Sequence, residues 1–144
     1  MATRQEITRE IIAQMHRFTA CDPEMLSKHA EKLAPSKALK KIIADAPIEV
    51  KQAFVEVVLP FLGLHLSSIF GNPYIKKPET LSPSDMSKQM TSSLPSIDEM
   101  HALRDAYYAE LLAIQPIECL QEGLARMKAF TKADCIRHWH KLDL

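Results

Sequence analysis

The sequence is poor in the residues that build glycine loops and disulfide frameworks. It has three glycines and three cysteines in 144 residues, without a glycine-rich phosphate-binding motif or a CxxC pair. The cysteines, Cys21, Cys119 and Cys135, are odd in number and far apart, which argues against a secreted disulfide scaffold. We therefore expect a protein of a reducing compartment whose core is large enough to fold without covalent cross-links.

The chain also has no excess of charge of either sign. Eighteen Lys and Arg residues balance eighteen Asp and Glu residues, so no global field attracts the protein to nucleic acid or to an anionic membrane. The amino terminus enters an amphipathic pattern directly and lacks the apolar core of a cleaved secretory signal. These features predict a cytoplasmic protein without a nucleic-acid partner, and they leave secretion through a non-cleaved signal open.

One stretch, residues 53–70, is apolar enough to resemble a membrane span. Glu56, Pro60 and His65 interrupt it, and a central proline would leave backbone groups without hydrogen bonds in lipid. No belt of aromatic residues flanks it. The stretch therefore predicts a buried pair of helices at the centre of the fold and no membrane span.

Apolar residues recur every three to four positions along most of the chain, and no alternating strand pattern occurs. Capping pairs mark three helix starts, Thr3 with Glu6, Ser96 with Glu99 and Thr131 with Asp134. The predicted inward stripe of the helix after Ser96 comprises Met100, Leu103, Tyr107, Leu111, Leu112 and Ile114. The pattern predicts an all-α fold, a compact bundle of six or seven short helices with one long Pro/Ser-rich connection.

The long connection divides the single predicted domain, residues 1–144, into N-terminal helices (1–70), a connecting arm (71–95) and C-terminal helices (96–144). Connections of this length are uncommon in compact domains and are often functional. The arm carries more apolar side chains than a solvated tether needs, so it packs on its own bundle or binds another chain. The candidate partner-binding residues are Tyr74, Ile75, Leu81, Met86, Met90 and Leu94.

Motifs for catalysis are absent from the sequence, including HExxH, GxSxG and the Glu-x-x-His pairs of di-metal bundles. Cys135 and His138, at i and i+3 of one helix, form the strongest candidate metal pair, with a solvated basic helix end as the alternative. His65 is either a hydrogen-bonded core histidine, a ligand for metal or haem, or a pH-sensitive group. We expect no cofactor and no catalytic residue.

The sequence therefore favours a non-enzymatic helical protein–protein interaction module, such as an adaptor, a chaperone or an inhibitor. Its partner is a different protein or a second copy of the chain. The alternative is a metal- or haem-binding helical bundle. A third, less favoured reading is a nucleic-acid-associated helical regulator that uses the basic stretch 126–141.

Overall fold

The computed structural model describes residues 2–82, 90 and 93–142 as a bundle of α-helices without a β-strand in these residues, which confirms the predicted all-α class. The helices, in chain order, are α1 (Arg4–Ala20), α2 (Pro23–Leu33), α3 (Lys37–Ala44), α4 (Ile48–Val58), α5 (Gly63–Phe70), α6 (Ile97–Ala113), α7 (Ile117–Ala129) and α8 (Lys132–Lys141). The 3₁₀ turn Leu59–Phe61 separates α4 from α5, because Pro60 cannot donate the backbone hydrogen bond that would continue α4.

Local hydrogen bonds fix the helix starts that the sequence predicts. The Thr3 side chain accepts from the backbone N–H of Glu6, and the Ser96 side chain accepts in the same way from Glu99. At α8 the capping box is reciprocal, since Thr131 accepts from the backbone N–H of Asp134 while the Asp134 carboxylate accepts from the backbone N–H of Thr131.

Helix α4 is the centre of the bundle. It packs against α1, α2 and α6, and the six consecutive residues from Ala53 to Val58 are all buried. Helix α7 packs on α1 and α5, and α8 packs on α1. The α4 part of the stretch that resembles a membrane span is therefore covered by other helices. No helix in the described ranges is both long and apolar enough to cross a bilayer.

The described part of the connecting arm packs on its own bundle. Leu81 and Met90 belong to the hydrophobic core, and Ile75 and Leu94 pack partly buried against it. The side-chain amide of Gln115 contacts the backbone of the arm at Lys76. Its Oε1 accepts from the N–H of Lys76, and its Nε2 donates to the carbonyl of Lys76. These contacts hold the described part of the arm on the bundle and bury Leu81 and Met90.

The inward face of α6 differs from the predicted stripe. Met100, Leu111 and Leu112 are buried as expected, but Arg104 and Tyr108 complete the buried face. The prediction for Ile114 is wrong, since its side chain is 42% exposed. In the middle of α6, Arg104 and Tyr108 are buried while the predicted Leu103 and Tyr107 are only partly buried, because Arg104 points inward to a buried carboxylate.

Helices α5 and α7 approach closely where Gly123 faces the ring of Phe70. A Cβ at position 123 would lie 2.6 Å from two ring atoms of Phe70. We expect Gly123→Ala to lower the free energy of unfolding by about 1–3 kcal/mol, the usual cost of overpacking, although alanine by itself favours a helix by about 1 kcal/mol. Urea denaturation followed by circular dichroism measures the change.

Gly63→Ala is the matched control for this prediction. There the new Cβ would lie 3.3 Å from Cε of Lys77, the end of a flexible side chain. We expect this variant to be about as stable as the parent chain. A Gly123→Ala protein as stable as the parent or more stable would show that α5 and α7 are not in close contact at Phe70.

Candidate binding groove

A groove of about 730 Å³ runs between α1 and α6 on the surface of the bundle. The α1 side consists of Arg4, Gln5, Thr8, Arg9, Ile12, Ala13 and His16. The α6 side consists of Arg104, Asp105, Ala109 and Ala113. The groove stays open because Ala13, Ala109 and Ala113 have no side-chain atoms beyond Cβ to fill the space between the two helices.

The two helices run antiparallel along the groove. At one end, Nη1 of Arg4 donates to the carbonyls of Leu112 and Gln115 at 3.3 and 2.8 Å, at the carboxyl end of α6. At the other end, His16 and Arg104 both contact the carboxylate of Glu56. At 1.5 Å per residue, the distance from Arg4 to His16 is roughly 18 Å, or about three helical turns.

The charges along the groove are mostly positive and are not all neutralised. Arg4 is bound to carbonyl oxygens, and Arg104 forms ion pairs with Glu56 and Asp105. Arg9 is exposed and forms no ion pair with a described residue. A guanidinium on the rim is therefore available for an acidic group.

The inner end of the groove is fixed by Glu56, whose carboxylate is buried in α4. Its Oε2 accepts from Nη1 of Arg104 at 2.9 Å, and its Oε1 lies 2.8 Å from Nδ1 of His16. The remaining contacts of Oε1 are with Oγ1 of Thr19 at 2.8 Å and Nε2 of Gln52 at 3.2 Å. The network joins α1, α4 and α6 and holds the two walls of the groove at a set separation.

The electrostatics of this network keep Glu56 ionised. Burial by itself raises the pKa of Glu56, but the hydrogen bonds and charges of His16, Thr19 and Arg104 outweigh it, and the pKa lies below its ordinary value. The nearby hydroxyl of Tyr108 has no hydrogen-bond partner among the described residues. Burial, together with the charge of Glu56, raises the pKa of Tyr108 well above its ordinary value, so the phenol stays neutral.

The residues proposed from the sequence for metal or haem binding have different surroundings. His65 is fully buried in α5, and its Nδ1 lies 3.0 Å from Nε2 of His138. Cys135 instead lines a separate cavity of about 380 Å³ together with Cys21. Within the described ranges, no group of three or more His, Cys, Asp or Glu side chains is placed to hold a metal ion.

The two cysteines of this second cavity are thiols at neutral pH. Burial raises the pKa of Cys21 to about 11 and also raises the pKa of Cys135. A thiolate is the reactive form of cysteine, so neither side chain has the environment of an activated nucleophile.

The candidate partner-binding residues of the arm are not equivalent in the structure. Tyr74 is 85% exposed, whereas Leu81 and Met90 are in the core. Ile75 and Leu94 are half-buried, and Met86 lies outside the described residues. Among the candidates that the structure describes, Tyr74 alone exposes most of its side chain, and partner binding by the arm stays a prediction.

Sequence reasoning missed the groove and the network behind it. In the sequence, Glu56 stands out only as an interruption of an apolar stretch, although a lone carboxylate in such a stretch indicates a buried partner. The distant partners of Glu56 lie 37 to 48 residues away from it in the chain and are His16, Thr19 and Arg104. No local sequence pattern connects residues so far apart. The sequence does not predict the groove, because alanines on a helix indicate only that the helix forms. The space beside their short side chains exists only once α1 and α6 are packed together.

Comparison of the chain with protein-family models, with curated protein sequences and with solved structures finds no match.

Proposed function

We propose that the chain is a non-enzymatic helical interaction module that binds an acidic, amphipathic helix of a partner protein in the groove between α1 and α6. The observation that supports this proposal is the open groove, whose floor carries Ala13, Ala109 and Ala113. Two antiparallel helices with a strip of alanines between them leave a site into which the ridge of a third helix fits.

The dimensions of the groove favour a helix as the occupant. The groove extends along about three turns of α1, which matches the length of a short amphipathic helix. Ile12 and the alanines supply an apolar floor for residues spaced at i, i+4 and i+7 of the partner. Because the floor side chains are short, the partner contributes most of the apolar side-chain volume in the contact.

The charges of the groove favour an acidic partner. Arg9 forms no ion pair with a described residue, and Arg4 lies five residues earlier on the same helix. Asp105, the one carboxylate among the described residues that line the groove, is already paired with Arg104. An Asp or Glu of the partner near Arg9 therefore gains a cation that has no competing partner within the described part of the chain, and rim charges of this kind guide association.

A selection experiment tests the proposal with an unbiased peptide library on phage, using the immobilised full chain. Enriched peptides are expected to combine apolar residues at i, i+4 and i+7 with acidic residues. Ala109→Trp fills the groove at an exposed position, and we expect it to weaken binding of an enriched peptide at least about tenfold, or about 1.4 kcal/mol. Fluorescence anisotropy with the labelled peptide measures the affinity.

Ala38→Trp is the control, because Ala38 is an exposed alanine on α3. It should leave the affinity unchanged, and Arg9→Glu should weaken binding by repelling the acidic residues. Equal binding by the Ala109→Trp and Ala38→Trp variants would overturn the proposal, as would loss of binding in Tyr74→Ala alone. A concentration-dependent dimer that disappears in Ala109→Trp would show that a second copy, and not an acidic helix, occupies the groove.

A further inference from the structure

Three histidines from three helices meet around the single tryptophan of the chain. His29 of α2 stacks on Trp139 of α8 with ring centroids 5.0 Å apart, and His65 of α5 lies 5.5 Å from the same ring. His138 of α8 is hydrogen-bonded to His65, with ring centroids 4.9 Å apart. We infer that His29, His65 and His138 form an acid-sensitive latch that holds α8 on the bundle near neutral pH and releases it in mildly acidic solution.

The hydrogen bonding of the latch requires neutral rings. A single proton between Nδ1 of His65 and Nε2 of His138 satisfies both nitrogens at 3.0 Å. If both rings were protonated, two N–H groups would face each other at that distance with two positive charges in the core. Nε2 of His65 has no hydrogen-bond partner among the described residues, so an added proton there would have no acceptor.

Among the described residues, no carboxylate forms an ion pair with a latch ring to offset protonation. Lys32 of α2 acts on His29 and Lys141 of α8 acts on His138, and both disfavour a cationic ring. His140 adds to this effect on His29 when it is charged. From α5 the contact is the neutral hydroxyl of Ser68, 3.4 Å from Nδ1 of His138.

The contacts of the latch from α1 and from the start of α2 also place no carboxylate on a latch ring. From α1 the contact is the ring of Phe18, whose centroid lies 5.8 Å from that of His138. Asp22, just before α2, lies 3.9 Å from Nε2 of His140, and none of the three latch rings has an ion pair with a described carboxylate. A proton on the latch therefore has no carboxylate partner in the part of the chain that the structure describes, although the backbone of Trp139 favours it at His29.

The direction of the pH dependence follows from this arrangement. Burial lowers the pKa of His138 to about 4 and the pKa of His65 well below its ordinary value of 6.5. Burial and the charge of Lys32 also lower the pKa of His29, although the backbone of Trp139 acts to raise it. The unfolded or undocked rings titrate near 6.5. Because the docked rings bind protons less readily, their contribution to docking is complete above about pH 6.5 and is lost progressively toward about pH 4.

Helix α8 is the element that releases most readily. It is the last described helix, and its buried residues are Cys135, His138 and Trp139. Two of these three residues belong to the latch or are stacked on it. Helices α2 and α5 are held additionally by α4 and α7 respectively, which do not contain latch residues.

The emission of Trp139 tests the latch, because it is the only tryptophan in the chain. Between pH 7.5 and 4.5 we expect its emission to shift to longer wavelength before the far-ultraviolet dichroism loses more than the signal of one helix. The double variant His65→Gln/His138→Gln, which cannot take up these protons, should shift the midpoint of the emission change to lower pH. His101→Gln, on α6 and outside the latch, is the control and should leave it unchanged.

Hydrogen exchange of the unmodified chain keeps the inference testable if the double variant does not fold. After correction for intrinsic rates, amides of α8 should exchange at least about tenfold faster at pH 5 than at pH 7, the factor that one pKa unit represents, while those of α4 stay protected. Coincident loss of fluorescence, dichroism and α4 protection would overturn the latch, because it would show one global acid transition. An unchanged midpoint in a folded double variant would overturn it as well.

Discussion

Replacing Glu56 by alanine is expected to lower the free energy of unfolding by about 3–5 kcal/mol, the range observed when one partner of a buried ion pair is removed. The side chain of Glu56 is 1% exposed, and that of Arg104, which it neutralises, is 10% exposed. Without the carboxylate, the guanidinium keeps only Asp105 as a partner, and Thr19 and Gln52 lose their shared acceptor. The loss is a large part of the 5–15 kcal/mol that a domain normally has.

Urea denaturation at neutral pH measures this loss, and two further variants define its cause. Glu49→Ala removes an exposed carboxylate from the same helix and should change stability by no more than about 0.5 kcal/mol. Glu56→Leu/Arg104→Met removes both charges and should lose less than Glu56→Ala, since no buried charge is left unpaired. A Glu56→Ala protein within 1 kcal/mol of the parent would contradict the buried network.

The same carboxylate adds to acid sensitivity in a pH range below that of the histidines. Because the pKa of Glu56 is lower in the folded chain than its ordinary value, its contribution to stability is complete above the unfolded pKa of about 4.3 and is lost as pH falls through the folded value. The histidine latch responds between about pH 6.5 and 4. Titration of Glu56→Ala therefore separates the two effects.

Trp139→Ala is the second substitution with a large expected effect, a loss of about 3–5 kcal/mol in the free energy of unfolding. The indole is 2% exposed, stacks on His29 and donates its Nε1–H to the backbone carbonyl of Phe18. Alanine would leave a cavity where α8 meets α1, α2 and α5, and the carbonyl of Phe18 would lose its donor.

Chemical denaturation followed by far-ultraviolet dichroism measures the effect of Trp139→Ala, since the variant has no indole fluorescence. Tyr74→Ala is the control because it removes a large aromatic side chain that is 85% exposed. This control should stay within about 0.5 kcal/mol of the parent. Equal stability of the two variants would show that α8 is not anchored through its tryptophan.

The helical class could be predicted from the sequence because local interactions determine it. Thr3, Ser96 and Thr131 mark helix starts by hydrogen bonds that reach only three residues along the chain. Pro60 ends a helix by the absence of its own N–H. Each of these effects lies within a few residues, so no knowledge of the packing is needed.

The groove and the polar clusters could not be predicted because they depend on distant pairs. His65 meets His138 across 73 residues, and Arg104 meets Glu56 across 48. Buried Arg104 also displaces the inward face of α6, so that Tyr108 enters the core while Tyr107 contacts the edge of the Phe61 ring. A pattern of apolar residues predicts which positions are buried only where apolar side chains fill the core. It does not predict a buried position that is occupied by one partner of an ion pair, such as Arg104.

The site at which an enriched peptide binds tests the central proposal most directly. In a titration of the ¹⁵N-labelled full chain with that peptide, the largest amide shift changes are expected along the groove faces of α1 and α6, from Arg4 to His16 and from Arg104 to Ala113. Amides of α3, on which Ala38 is exposed, should not move. Changes centred on the arm around Tyr74, with the α1 and α6 amides unaffected, would contradict the groove as the binding site.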